Sequence, residues 1–202
     1  MKLFGITGGV GMGKSTTGAL LEKRGIAVVD TDRIAQQLVE PGQPALAEIA
    51  GVFDKSVLLP NGALNRKELA RRVFADAAER AKLEAILHPK IRAAWEADVK
   101  RWRASGCEQG AVIIPLLFET KAESLFDAVV CVACCAASQF ERLRERGWSR
   151  AEIKQRLEAQ WPAEEKIAWA DFVIWTDSTL EAHAAQLEKV LDKMATVAPS
   201  NP

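Results

Sequence analysis

The segment Gly8-Gly-Val-Gly-Met-Gly13-Lys14-Ser15 constrains this chain more than any other. It fits G-x-x-x-x-G-K-[ST], a loop that closes around phosphate oxygens. Glycines at 8, 11 and 13 let the backbone turn tightly and bring bare N–H groups onto an anion. The helix expected to open at Lys14-Ser15 adds the positive end of its dipole. Lys14 can reach the β- and γ-phosphates of a nucleotide, and the Ser15 hydroxyl can ligate Mg²⁺. The candidate ATP-binding set is therefore Gly8, Gly9, Gly11, Met12, Gly13, Lys14, Ser15 and Thr16, with Ser15 the metal ligand. No G-x-G-x-x-G can be laid over Gly8–Gly13, which excludes a dinucleotide loop of the Rossmann type.

The context fits the loop. Lys2–Thr7 reads as a strand, and Ser15 to about Arg24 as a helix stopped by Gly25. Ile26–Asp30 reads as a second strand and Arg33–Val39 as a second helix. That rhythm predicts an α/β fold of the P-loop NTPase kind, a wound parallel sheet with helices on both faces. Further strands are expected over Ala111–Leu117, Ala128–Ala133 and Ala170–Trp175, and a last helix over Leu180–Met194.

Between the second and third strands the chain is almost wholly helical. Asn65-Arg-Lys-Glu68 and Asp76-Ala-Ala-Glu79 have the spacing of helix starts. His88-Pro89 reads as another start, with proline at the first helical position. Residues from about 60 to 106 are expected to form an inserted helical subdomain. A charge-dense stretch over about 138–168 carries Arg142, Arg144, Arg146, Arg150 and Arg156 and is expected to form a helical lid. The whole is read as a single domain over residues 1–202, with a disordered tail over 195–202.

Lysines and arginines equal acids at 27 each, so any cations that meet an anionic ligand must be local. Neither nucleic acid nor an anionic membrane is an expected partner. The apolar runs Ala111–Phe118 and Ala128–Ala137 are too short to span a bilayer, and the expectation is a cytoplasmic protein. Cys131, Cys134 and Cys135 contain a C-x-x-C spacing, but inside an apolar strand they read as small buried hydrophobes.

Asp30-Thr-Asp32 falls at the carboxyl end of the second strand, the edge where wound sheets bind ligands. A carboxylate there can accept or align the proton of an attacking hydroxyl, or it can simply cap the next helix. Arg142 shares a helix face with Arg146, and a guanidinium suits a transferring phosphoryl group. Glu141 and Glu145 are interleaved with them, as on any solvated helix.

Several segments together closely resemble the dephospho-CoA kinase family: Thr7–Thr16, Val29-Asp-Thr-Asp-Arg-Ile-Ala35, Leu87-His-Pro89, Pro115-Leu-Leu-Phe-Glu119, Gln160 and Ala170-Asp-Phe-Val-Ile174. They recur in order over most of the chain. The resemblance implies transfer of a phosphoryl group from MgATP to the ribose 3′-hydroxyl of dephospho-CoA, the last step of coenzyme A synthesis. It implies catalytic roles for Asp32, Lys14 and Arg142, the last as a lid arginine. It also implies an acceptor side built from Asp32, Arg66, His88, Pro115, Leu116 and Glu119. Pro115 stands where many P-loop enzymes carry a Walker-B aspartate, so Mg²⁺ is expected on Ser15, phosphates and water. Other kinases of nucleoside monophosphates, shikimate or sugar acids are the nearest rivals, and a non-catalytic nucleotide-binding module is a second. No Asp-Gly-Phe-Pro-Arg or Asn-Lys-x-Asp segment is present to favour a nucleotide kinase or a GTPase switch.

Overall fold

Alternate residues of the first strand point to opposite sides, and both sides are buried, which requires a sheet covered on each face. In the computed structural model, which describes residues 1–196, that sheet has five parallel strands. They are β1 (Lys2–Thr7), β2 (Ala27–Asp30), β3 (Gln109–Ile113), β4 (Ala128–Ala133) and β5 (Phe172–Trp175), in the order β2-β3-β1-β4-β5. The helices are α1 (Lys14–Glu22), α2 (Thr31–Leu38), α3 (Pro44–Phe53), α4 (Arg66–Ala75), α5 (Ala77–Ala104), α6 (Ala136–Glu145), α7 (Arg150–Glu158), α8 (Ala163–Trp169) and α9 (Leu180–Thr196).

The chain forms two compact units, one of residues 1–30 with 101 onward, the other of Thr31–Lys100. Of the helical region expected over about 60–106, residues up to Lys100 belong to a longer helical unit that also takes in α2 and α3, and 101–106 fall in the sheet unit. Of the expected tail, 195 and 196 belong to α9 and the rest lies outside the described residues.

In the sheet unit, Phe4, Ile6, Ala111, Ile113, Val130, Val132 and Ile174 share a core with Leu20 and Leu21 of α1 and Leu187 and Val190 of α9. Gly5 and Gly110 lie on the opposite face, where a Cβ would press on Leu117 and Phe126 or on Trp102. Behind the sheet, Thr17 of α1 meets a buried histidine of α9: His183 is 4% exposed, and its Nε2 lies 3.0 Å from the Thr17 hydroxyl. Burial, with Arg142 adding repulsion, lowers the His183 pKa below its ordinary value.

In the helical unit, Leu46, Ile49 and Phe53 of α3 and Leu69 and Val73 of α4 make a second core. The Asn65 side chain accepts from the Glu68 N–H, and Asp76 from the Ala78 N–H, so both expected starts are capped. The expected start at His88-Pro89 is not. Helix α5 runs unbroken with Pro89 inside it. Proline removes one hydrogen bond and costs about 3 kcal/mol in a helix interior. Leu83, Ile86 and Leu87 before it pack on the second core, and Trp95 and Val99 after it are buried. Packing on both sides of the proline outweighs the local preference to restart.

Two outcomes follow. Gly5→Ala places a Cβ 2.7 Å from Leu117 Cδ1 and 2.9 Å from the Phe126 ring. The overpacking should cost about 1–3 kcal/mol and lower Tm by roughly 2–12 °C. A melting curve superimposable on the parent's would show that this face has slack. Because His183 carries a depressed pKa, the unfolded chain binds its proton more readily. The stability is therefore full above about pH 6.5 and declines as pH falls below it. His183→Gln should flatten that decline between pH 7.5 and 5.5, and an equally steep Tm slope in the variant would refute the assignment.

Candidate functional site

Gly8, Gly11 and Gly13 all have positive φ, at 140°, 79° and 100°. An L residue is strained there, and at Gly8 a Cβ would stand 2.2 Å from the Val132 carbonyl oxygen. The loop thus exists only because these positions lack side chains. Gly13 is the N-cap of α1 in a left-handed conformation, and no side chain caps the helix. The first N–H groups of α1 are left for an anion. Lys14 Nζ donates to the Gly8 and Gly9 carbonyls at 2.8 and 2.9 Å, so the ammonium lies over the loop. Met12 is buried, while Ser15 and Thr16 are exposed.

Side chains from three elements brace this loop. Gln139 of α6 donates to the Val10 carbonyl at 2.7 Å. Gln160, just beyond α7, accepts from the Val10 N–H at 3.2 Å. Thr176, one residue past β5, donates to the Met12 carbonyl at 3.0 Å. Arg142 joins the same network: it donates to the Thr176 hydroxyl at 2.8 Å, to the Thr176 carbonyl, and more distantly to the Gly11 carbonyl at 3.5 Å. The expected lid arginine is therefore already fastened to the phosphate loop. The expected helical stretch over 138–168 is three short helices, the second opened by a capping box of Ser149 and Glu152.

Pro115 and Glu119 follow β3 in the same unit. The Pro115 carbonyl accepts from the Thr7 hydroxyl at 3.3 Å and from Lys166 Nζ at 2.6 Å. Lys166, fully buried, also pairs with Glu119 at 2.7 Å, and Glu119 accepts from the Trp161 N–H at 2.8 Å. Leu116 is half-buried beside them. Asp32, Arg66 and His88 belong to the helical unit. Asp32 is the second residue of α2, two residues beyond the carboxyl end of β2, and its surface is exposed; Arg66 opens α4 and is exposed; His88 is half-buried within α5.

Cys131 and Cys134 are buried, and burial pushes the Cys131 thiol up to about 11. At that value it is protonated at neutral pH, as a small buried hydrophobe would be. Cys135 departs from the expected strand. It is exposed and caps α6, accepting from the Ser138 N–H, while its own N–H donates to the Asp177 carboxylate at 3.0 Å. The strand ends at Ala133 because the chain turns there into α6. Ser138 and the two Cys135 donors hold Asp177 below the usual carboxylate range.

Sequence reasoning missed Lys166, Thr176 and Gln139. Thr176 was reachable, since it sits at the carboxyl edge of β5 where wound sheets place functional groups. Lys166 was not: Glu164-Glu165-Lys166 reads as a solvated run. The fit to Mg²⁺ is chemical. Among the described residues no cluster of three or more acidic, histidine or cysteine side chains is placed to hold a metal ion. Ser15 offers one exposed hard oxygen at the opening of α1, which suits an ion that keeps waters and takes phosphates as its other ligands.

The family model described as dephospho-CoA kinase matches residues 2–182. A dephospho-CoA kinase of Anaeromyxobacter dehalogenans is 48% identical over 192 residues, 95% of this chain and 91% of the relative. Among solved structures, a protein of Thermus thermophilus superposes with a TM-score of 0.80 at 34% identity, covering 95% of this chain and 97% of its own. The dephospho-CoA kinase of Campylobacter jejuni gives 0.68 at 27% identity, covering 96% and 98%. With the match spanning both units and the whole phosphate loop, this chain belongs to the dephospho-CoA kinase family.

Proposed function

We propose that the protein transfers the γ-phosphoryl group of MgATP to the ribose 3′-hydroxyl of dephospho-CoA, giving CoA and ADP. The observation that carries this reading is the uncapped start of α1 beneath the Gly8–Gly13 loop, with Lys14 held over it, in a chain of this family. Phosphoryl transfer of this kind depends on positioning and on stabilising charge, with little covalent work for the protein. The N–H groups of the loop and of residues 14–16 bind phosphate oxygens. Lys14 exchanges its two loop carbonyls for β- and γ-oxygens. When bound, Mg²⁺ would be held by Ser15 together with nucleotide oxygens and water, and would offset charge on the phosphates.

Arg142 is placed by Thr176 within reach of the same loop, which supports its role in stabilising the transferring group. Asp32 is the residue assigned to poise the acceptor hydroxyl. Its support is the Asp30-Thr-Asp32 segment of the resemblance and its position just past the carboxyl end of β2. Arg66, His88, Pro115 and Leu116 are assigned to the acceptor side on the same resemblance. Glu119 is assigned there too, although one of its oxygens is engaged by Trp161 and Lys166. No helix among the described residues is long and apolar enough to cross a membrane, which is compatible with action in the cytoplasm on small water-soluble substrates.

Two measurements test the reading. A coupled ADP-release assay offered dephospho-CoA, adenosine, AMP and shikimate should respond strongly only to dephospho-CoA. Equal or greater turnover with another acceptor would replace the substrate, and no turnover with any would remove the activity. Asp32→Asn should leave ATP affinity near the parent's and lower kcat by roughly 100-fold or more, the usual weight of a positioned base. Unchanged kcat would reduce Asp32 to a helix cap.

A further inference from the structure

A fully buried lysine requires a reason, because an ammonium leaves water at high cost unless it is paired. Lys166 on α8 is 0% exposed, and it reaches two groups just beyond β3: the Pro115 carbonyl at 2.6 Å and Glu119 Oε1 at 2.7 Å. The other Glu119 oxygen is buried and has no hydrogen bond among the described residues. The carboxylate therefore relies on Lys166 and on the Trp161 N–H at 2.8 Å.

These contacts run from one flank of the phosphate loop to its interior. Thr7, immediately before Gly8, donates to the Pro115 carbonyl at 3.3 Å. Pro115 accepts from Lys166, Lys166 pairs with Glu119, and Glu119 accepts from the Trp161 backbone. Gln160, bonded through its peptide to Trp161, accepts from the Val10 N–H at 3.2 Å. The chain of contacts thus begins at Thr7 and returns at Val10. Lys166 binds the segment after β3 at two points, the Pro115 carbonyl and Glu119, and Glu119 carries the connection on to Trp161.

We propose that Lys166 is a positioning residue for nucleotide binding: paired with Glu119, it fixes the segment that lets Gln160 hold the Val10 peptide of the phosphate loop. Val10 N–H is turned to Gln160, so its peptide plane is set by a side chain rather than by a ligand. Setting one peptide of a tight loop constrains its neighbours, whose N–H groups meet the phosphates. Lys166 touches neither substrate. It acts through Glu119, Trp161 and Gln160. Nothing in the family resemblance assigns it a role, and the inference rests on the nucleotide-binding part of the proposed function.

The test is a double-mutant cycle read by ADP affinity, with calorimetric titration of ADP and Mg²⁺ into the full chain. Lys166→Met and Gln160→Ala should each weaken ADP about tenfold, within the range for partners in one hydrogen-bonded network. The double variant should bind no more weakly than the worse single, because both act through one contact. KM for dephospho-CoA at saturating ATP should move by less than about twofold. A purely structural lysine would lower Tm while leaving the folded protein's ADP affinity within twofold of the parent's, and that result overturns the proposal. So does a double variant whose loss is the product of the two singles. Should Lys166→Met fail to fold, Lys166→Gln takes its place in the cycle, with the same expected and overturning outcomes. A parent that binds no ADP overturns both this inference and the proposed function, whereas a binding parent with unaffected variants overturns only the inference.

Discussion

The start of α1 has no side-chain cap, and much of the surrounding structure follows from that. A helix normally satisfies its first N–H groups with a serine, threonine or aspartate just before it. Here the N-cap is Gly13 in a left-handed conformation, and the residues before it are kept clear of side chains at Gly8, Gly9 and Gly11. Those glycines cannot be enlarged: a Cβ at Gly8 meets the Val132 backbone, and one at Gly11 meets Leu143. The loop has little side-chain packing of its own beyond the buried Met12, whose sulfur accepts from the Gly9 N–H. It must be held from outside.

The outer supports come from the carboxyl edge of the sheet and the helices beyond it. Gln139, Gln160 and Thr176 each satisfy a peptide group of the loop, and Arg142 binds Thr176 twice. These residues come from three separate parts of the chain, and what aligns them is the parallel sheet. Strands β1, β4 and β5 are neighbours in register, from Thr7 opposite Cys131 to Ala133 opposite Trp175. The residues that follow each strand therefore emerge at one edge. Core packing of Phe4, Val130 and Ile174 sets that register, so a hydrophobic contact far from the loop decides where a phosphate can be met.

The features that could be read from the sequence are those fixed by local chemistry. The loop is legible because positive φ demands glycine and a phosphate site demands lysine and serine at set spacing. The caps at Asn65 and Asp76 are legible because a side chain two or three residues away supplies the acceptor. Helix α5 was not, because local preference restarts a helix at His88-Pro89 while packing from Leu83 to Val99 carries it through. Cys135 was misplaced for a related reason: an apolar run gives no mark where a strand ends and a helix cap begins. Lys166 carries no local signal at all. Its burial depends on Pro115 and Glu119, about fifty residues earlier, and only the tertiary structure brings them to it.

The contrast between two lysines shows how one residue type acquires opposite duties. Lys14 and Lys166 each donate to backbone carbonyls next to the phosphate loop. Lys166 also has a carboxylate and is sealed from solvent. Exchanging those partners for a ligand would leave Glu119 buried beside an unmatched charge, a change that costs far more than a surface ion pair returns. Lys14 donates to the Gly8 and Gly9 carbonyls at the opening of α1, and a polyphosphate oxygen is a stronger acceptor than either. Its orientation is already set by the loop it serves, so little rotamer freedom is lost on binding.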